Sequence, residues 1–352
     1  MAIIQQLHDR PSPLISVVVV NWNRRELLRA CLESLKRQQA VDFEVLVIDN
    51  GSDDGSPEMV AKDFALIGNK PTKLIRNSMN MGFCAANNQG IQAAHGTLVA
   101  LLNNDAEAGP DWLCALSRAF ESRPDVGMAA SKILVYEDPT RIDKAGHLIY
   151  PDGQNRGRGM GDLDDGRFDT PGEVLWPDGC AAMYHMQMLN EIGVFDEDFF
   201  AYGDDAELGL RARIAGWKCL YVPAAVVRHH RGSTLGLEST RRLKLIERNR
   251  VLLVMKLFPW SLLWRNWWYY GARLAAGAWA SLKGAGDTAQ FPGWKGKLRM
   301  AQALMAGDLE ALALSPRMFR KRREFKRFRR LSPRDVRLLL ERYRISLSEL
   351  LK

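Results

Sequence analysis

Ile15-Ser16-Val17-Val18-Val19-Val20-Asn21-Trp22-Asn23 is the stretch on which the fold turns. A short β-branched run that stops at polar residues predicts a strand buried on both faces, the habit of a parallel sheet. Just beyond it, Asn23 and Glu26 have capping-box spacing. Leu27, Leu28, Cys31, Leu32 and Leu35 then fall on one stripe of a helix. Phe43 to Ile48 predicts a second strand, and Pro57 suits the first turn of the next helix. Thr72 to Arg76 (strand), Phe83 to Ala94 (helix) and Thr97 to Leu102 (strand) continue the alternation. The expected fold class is α/β, a mixed and mainly parallel sheet flanked by helices.

Further along, Asp111 to Ser122 predicts a helix and Val222 to Val227 a strand. The Gly- and Asp-rich span between Pro151 and Glu173 reads as a mobile loop. After about Ser233 the chain turns helical, basic and tryptophan-rich. This predicts an α/β body over 1–235 and a helical C-terminal extension over 236–352.

The 352 residues carry a formal charge of +8, unevenly spread. Arg241 to Lys352 hold 26 Lys/Arg and 8 Asp/Glu, against 23 and 33 in the remaining 240 residues. An acidic body thus carries a basic tail. The five cysteines are widely spaced with no Cys-x-x-Cys pair, which disfavours a zinc site or disulfide framework and suits a reducing cytoplasm. The sequence shows no signal-peptide core and no uninterrupted apolar run of spanning length. A nucleic-acid-binding role would explain the tail but not the acidic body.

In open α/β sheets ligands gather at the carboxyl ends of strands. Asn21 to Asn23, Asp49 and Asn103-Asn104-Asp105 all stand at such ends. With no Gly-x-Gly-x-x-Gly and no phosphate loop, dinucleotide dehydrogenases and phosphate-loop nucleotidases are disfavoured. Asp105 is the first metal candidate, since hard divalent cations favour carboxylate oxygen; an aspartate there also serves simply as a helix cap. Phe195 to Glu207 packs six carboxylates among aromatics. Close like charges raise one another's pKa and can tune one of them as a general base. His229-His230 follows a predicted strand, where imidazole is a common metal ligand.

The motifs together resemble the family 2 glycosyltransferases, in particular their rhamnosyltransferase-like branch. The resemblance runs through Val17 to Asn23, Val47 to Ser56, Asn80-Met81-Gly82-Phe83 to Gly90, Leu101 to Ala106, Gly193 to Glu197, Tyr202 to Leu208 and His229 to Ser233, covering about residues 14 to 258. It implies a GT-A fold, with a nucleotide-sugar-binding half over 1–105 and an acceptor-binding, catalytic half over 106–235, and an inverting, metal-dependent transferase. The donor would be a nucleoside diphosphate sugar, dTDP- or UDP-linked, bound by Val20, Trp22, Asn23, Asp49, Asn80, Gly82, Asn103 and Asn104. Asp49 would meet the base of the nucleotide. Asp105, the surviving carboxylate of an Asp-x-Asp element that here begins with Asn103, and His229 would hold Mg2+ or Mn2+. Asp205 would be the catalytic base, with Asp204 its neighbour where the family usually has Glu-Asp. The loop from Asp143 to Val174 would cover the acceptor, a saccharide or a polyprenyl-diphosphate-linked saccharide. A nucleotidyltransferase on a related sheet is the alternative, but the glycine- and lysine-rich first loop expected of it is missing.

Leu257 to Leu282 holds five tryptophans interrupted by Arg265 and Arg273, and Arg317 to Arg330 holds nine basic residues with one acid. Tryptophan favours the headgroup boundary and central arginines disfavour spanning. This predicts peripheral docking on the anionic inner face of the cell membrane. The competing expectation is a helical hairpin that packs its tryptophans onto the catalytic body.

Overall fold

Four strands, β1 (Ile15–Asn21), β2 (Phe43–Asp49), β3 (Lys73–Arg76) and β4 (Leu98–Leu102), run parallel in the spatial order β4-β1-β2-β3. The side chains of β1 alternate as a strand buried on both sides requires. Ile15, Val17 and Val19 enter one core and Val18 the other. Burying each such side chain contributes roughly 1.5–3 kcal/mol. The computed structural model describes residues 15–68, 70–231, 239–282, 291 and 293–350. Met1 to Pro13 and the motif residues Gly232 and Ser233 lie outside the described residues.

The chain continues through β5 (Ala106–Ala108), β6 (Val126–Val135), β7 (Ile142–Lys144), β8 (His147–Ile149), β9 (Asn155–Gly157), β10 (Gly172–Val174), β11 (Ala181–His185) and β12 (Lys218–His229). β11 lies antiparallel between β4 and β6, so the sheet extends as β10-β12-β6-β11-β4-β1-β2-β3. The sheet is therefore parallel through β4-β1-β2-β3 and mixed beyond β4. Strands from both sides of residue 105 join this one sheet.

Helices cover both faces. α1 (Arg25–Lys36), α2 (Ser56–Asp63) and α4 (Trp112–Ser117) pack on one side; α3 (Phe83–Ala93), α5 (Met186–Ile192), α6 (Asp204–Ile214) and α7 (Thr240–Leu257) pack on the other. The extension adds α8 (Trp260–Leu263), α9 (Asn266–Leu282), α10 (Gly293–Ala313), α11 (Ser315–Phe325) and α12 (Pro333–Arg342). Met318, Phe325, Val336 and Leu340 of the last two join the second core.

Several local expectations need correction. Asn23 does not cap α1: Arg24 occupies the N-cap in a left-handed conformation without a side-chain cap bond. The Asn23 Oδ1 instead accepts from the Asp53 N–H (3.0 Å), so a loop contact wins over the local motif. The helix expected over 111–122 ends at Ser117 and tightens into a 3-10 turn over Arg118–Phe120. The span read as a mobile loop is ordered. β9 pairs antiparallel with β8, β10 pairs with β12, and Asp164 and Asp169 capture the buried Lys132 ammonium.

Candidate active site

The polar strand ends converge because one side chain links three of them. The Asn21 Nδ2 donates to Asp49 Oδ1 (3.2 Å) and Ser52 Oγ (3.1 Å), while its Oδ1 accepts from Asn104 Nδ2 (2.8 Å). Along this edge runs a cleft of about 1320 Å3. Val20, Trp22, Asn80, Gly82, Asn103, Asn104 and Asp105 line it, and so do Asp204, Asp205 and His229 from the other half.

Asp49 and Asn23 are placed differently. Asp49 is buried, and its Oδ2 accepts the Ser52 N–H (3.1 Å). Its neighbour Asn50 reaches the cleft and joins Asn80 through an Nδ2 to Oδ1 bond of 3.0 Å. Gly82 is required by geometry. Its φ is +91°, and a Cβ there would lie 2.5 Å from the Phe200 ring. That approach joins the nucleotide-side loop to the aromatic turn just before Asp204.

Asp105 follows β4, and His229 ends β12. His229 Nε2 lies 3.5 Å from Asp105 Oδ1, while its Nδ1 is 2.8 Å from Asp143 Oδ2. A carboxylate on the far nitrogen fixes the tautomer and turns Nε2 toward Asp105, an arrangement of the kind that supports a ligating histidine. Burial opposes a charge on His229, but Cys180, Asp105 and Asp143 outweigh it and raise its pKa well above the ordinary value. Surroundings that favour a proton there favour a divalent cation too. The oxygen and imidazole donors fit Mg2+ or Mn2+.

Asp204 and Asp205 open α6. Burial and the neighbouring Asp205 push the Asp204 carboxyl well above the usual range, with Asp178 adding to the effect. Burial also raises Asp205, but His147 and Lys144 pull it back while Asp178 opposes them. His147 Nε2 sits 3.0 Å from Asp178 Oδ2 and 3.5 Å from Asp205 Oδ2. The three side chains could hold a metal by their spacing alone. However, the Lys144 ammonium stands 2.7 Å from Asp178 Oδ2 and already supplies the cation. Lys144 and His147 overcome the burial penalty and hold Asp178 well below the usual carboxylate range. The cluster therefore reads as a charged support for Asp205.

Lys144, His147 and Asp178 were not singled out in the sequence. They come from β7, β8 and the turn before β11, and only the folded register joins them. The acidic run also divides. Asp196 bonds Lys256 Nζ (2.6 Å) and Lys321, and these ammonium groups outweigh burial and depress its pKa far below the usual range. Asp198 pairs with Arg317 and Lys321, 2.7 Å in each case.

The model for "Glycosyl transferase family 2" matches residues 16–193, just over half of the chain. N-acetylglucosaminyl-diphospho-decaprenol L-rhamnosyltransferase of Mycobacterium tuberculosis is 27% identical over 253 residues, 65% of this chain and 80% of that one. The chain spans only 26% of an uncharacterized Sinorhizobium fredii protein that is also 27% identical, over 65% of this chain. The structure of GalNAc-T7 with UDP, GalNAc and Mn2+ superposes with a TM-score of 0.58 at 18% identity, over 72% of this chain and 49% of that one. A Pyrobaculum calidifontis mannosyltransferase in complex with GDP-Man and Mn2+ gives 0.52 at 17%, over 88% and 92%. At these identities the likeness establishes the fold, which is GT-A. The chain belongs to glycosyl transferase family 2.

Proposed function

We propose that this protein is an inverting glycosyltransferase that moves a sugar from a dTDP- or UDP-linked donor to a lipid-linked saccharide. One observation carries the reading. Asp105 with His229, and Asp205 with its supporting charges, line the same cleft, which draws Asp105 from the first half of the chain and the others from the second. The rhamnosyltransferase relative favours rhamnose as the sugar and a polyprenyl-diphosphate-linked acceptor.

Asp205 takes the proton of the acceptor hydroxyl as that oxygen attacks the anomeric carbon. The bond to the diphosphate breaks on the opposite face, so one displacement inverts the configuration. A divalent cation held by Asp105 and His229 supplies Lewis-acid stabilisation of the leaving diphosphate. The nucleotide end offers amides rather than cations: Asn50, Asn80, Asn103 and Asn104 present hydrogen-bonding groups to a base and ribose.

Calorimetric titration with UDP and dTDP, each with and without Mn2+ or Mg2+, tests the reading. Metal-dependent binding of one diphosphate that disappears in Asp105→Ala is expected. A folded protein that binds neither would refute the donor site.

Membrane docking belongs to the same proposal. Among the described residues no helix is long and apolar enough to cross a membrane. Trp264, Trp267 and Trp268 are 76%, 71% and 65% exposed, so they do not pack onto the catalytic body. A tryptophan-rich face beside basic residues suits the anionic inner surface of the cell membrane.

A further inference from the structure

The cleft has two chemically different ends. Its nucleotide end is lined by amides and carboxylates, whereas its far end is walled by the extension. There α7 contributes Ile246, α9 contributes Leu274, Gly277 and Ala278, and α10 contributes Met300 and Leu304. On α9 and α10 the apolar lining residues recur at helical spacing, so these two helices turn apolar faces into the same space, while α7 adds Glu247, Asn249 and Arg250 beside Ile246.

Polar anchors set these helices, and Glu247 and Arg273 among them also line the cleft. Arg273 of α9 reaches Asp152 Oδ2 (2.5 Å) and Glu247 Oε2 of α7 (2.8 Å), and Tyr270 donates to Asp308 of α10 (2.5 Å). Gly307 brings α10 against α7, where a Cβ would lie 2.6 Å from the Lys244 carbonyl oxygen. Above Gly277, in contrast, a Cβ would meet nothing within 4 Å.

Two guanidinium groups line the cleft beside the turn that leads into Asp204. Arg241 lies 5.9 Å from the Phe200 ring centre and Arg242 5.7 Å from that of Tyr202, in the turn that leads into Asp204. Both arginines line the cleft. Guanidinium forks match phosphate oxygens. On the outer side the limb is continuous with the apolar surface of the extension. Trp267, Trp268 and Trp279 share α9 with Gly277, and Trp294, Leu298 and Met305 share α10 with Leu304; all six are exposed.

We propose that this limb binds the first isoprene units of a polyprenyl diphosphate, with Arg241 and Arg242 on its diphosphate. The inference deepens the lipid-linked acceptor reading above and rests on it. The cleft thereby runs from the bilayer boundary, through an anion site, to the catalytic base.

The test is calorimetry with farnesyl diphosphate, geranyl diphosphate and inorganic diphosphate below any micelle concentration, with the nucleotide end filled by its nucleoside diphosphate and Mn2+. Affinity should rise about 10-fold or more for the added isoprene unit of farnesyl over geranyl diphosphate. Gly277→Phe, which projects into open space and should leave the melting temperature intact, should abolish that gain while nucleotide binding is unchanged. A diazirine-bearing farnesyl diphosphate should crosslink within Leu274–Ala278 and Met300–Leu304. Affinity that ignores chain length, survives Gly277→Phe, or comes with crosslinks confined elsewhere would overturn the site. Loss of nucleotide binding is read separately and counts against the donor site alone.

Discussion

Asp204→Asn and Asp205→Asn, made side by side, decide which carboxylate is the base. The structure makes these neighbours unequal. Asp204 is buried, and burial, Asp205 and Asp178 all push its carboxyl upward, opposed only by local backbone N–H groups. Asp205 has His147 at 3.5 Å and Lys144 nearby to offset its own burial. Of the two, Asp205 therefore gives up its proton more readily, and only a charged carboxylate accepts a proton. Asp205→Asn should cost about 10²–10⁴ in kcat, or about 2.7–5.4 kcal/mol of barrier. Asp204→Asn replaces the more strongly raised carboxyl by a neutral group of like shape and should keep kcat within about 10-fold. It should also stabilise the protein. A carboxyl whose folded pKa is raised makes the wild type lose stability as pH rises from the unfolded value of about 4 to the folded one. The amide removes that loss, so the variant should melt higher than wild type at pH 8 but not at pH 4. Single-turnover rates at saturating donor, with melting curves at both pH values, provide the readout. An inactive Asp204→Asn beside an active Asp205→Asn would reverse the assignment, and near-normal turnover in both would remove the pair from the role.

Other consequences are measurable with the same protein. His147→Gln removes the group that does most to offset the burial of Asp205, so the acid limb of the kcat profile should move to higher pH. Lys256→Met leaves Asp196 and Glu207 buried without the ammonium that lies 2.6 and 2.7 Å from them, and should cost about 3–5 kcal/mol in denaturant titration. Both carboxyls have depressed pKa values, so that stabilisation exists above an unfolded pKa of about 4 and is lost as pH falls through the folded values. The gap between variant and wild type should therefore narrow in acid. Gly82→Ala forces a methyl group into the Phe200 ring at a positive φ and should cost about 1–3 kcal/mol in thermal unfolding while weakening nucleotide binding. Replacing Trp264, Trp267 and Trp268 together by Ser should leave the melting temperature unchanged and reduce co-sedimentation with anionic vesicles. Undiminished sedimentation would remove these side chains from membrane docking.

The strand ends were legible because buried parallel strands read as unbroken apolar runs that stop at polar residues. Val17 to Val20 before Asn21, and Leu98 to Leu102 ahead of Asp105, are of that kind, and both lead into the cleft. Asn23 failed as a cap because its side chain had a rival partner in the Asp53 N–H, contributed by a loop 30 residues away. Lys144, His147 and Asp178 were hidden for a stronger reason. Their meeting depends on where β8 and the turn before β11 fall in space, with 31 residues between His147 and Asp178. The surrounding Gly and Asp residues suggested loop because local composition carries no trace of a hairpin register. The adjoining acidic run was visible, yet its sequence gave no sign of which carboxylates would receive counter-charges.

That division explains the charge asymmetry of the chain. Composition leaves the basic extension two readings, a surface for anionic lipid or a hairpin packed on the catalytic body. In the fold Lys256, Arg317 and Lys321 turn toward the body and engage Asp196, Asp198 and Glu207, and Arg330 reaches Glu191. The front of the acidic motif is thus neutralised by the extension, while Asp204 and Asp205, a few residues later, face the cleft. Six carboxylates this close would repel one another if all were equally solvated. Ammonium and guanidinium groups on one side of the run make it compact, so the raised pKa values are confined to the pair beside the cleft. The tryptophans do the opposite and point outward. Part of the charge in the extension therefore serves the catalytic body, while Arg323, Lys326 and Arg327 stay exposed and, with the outward tryptophans, are the groups on which the proposed membrane docking rests.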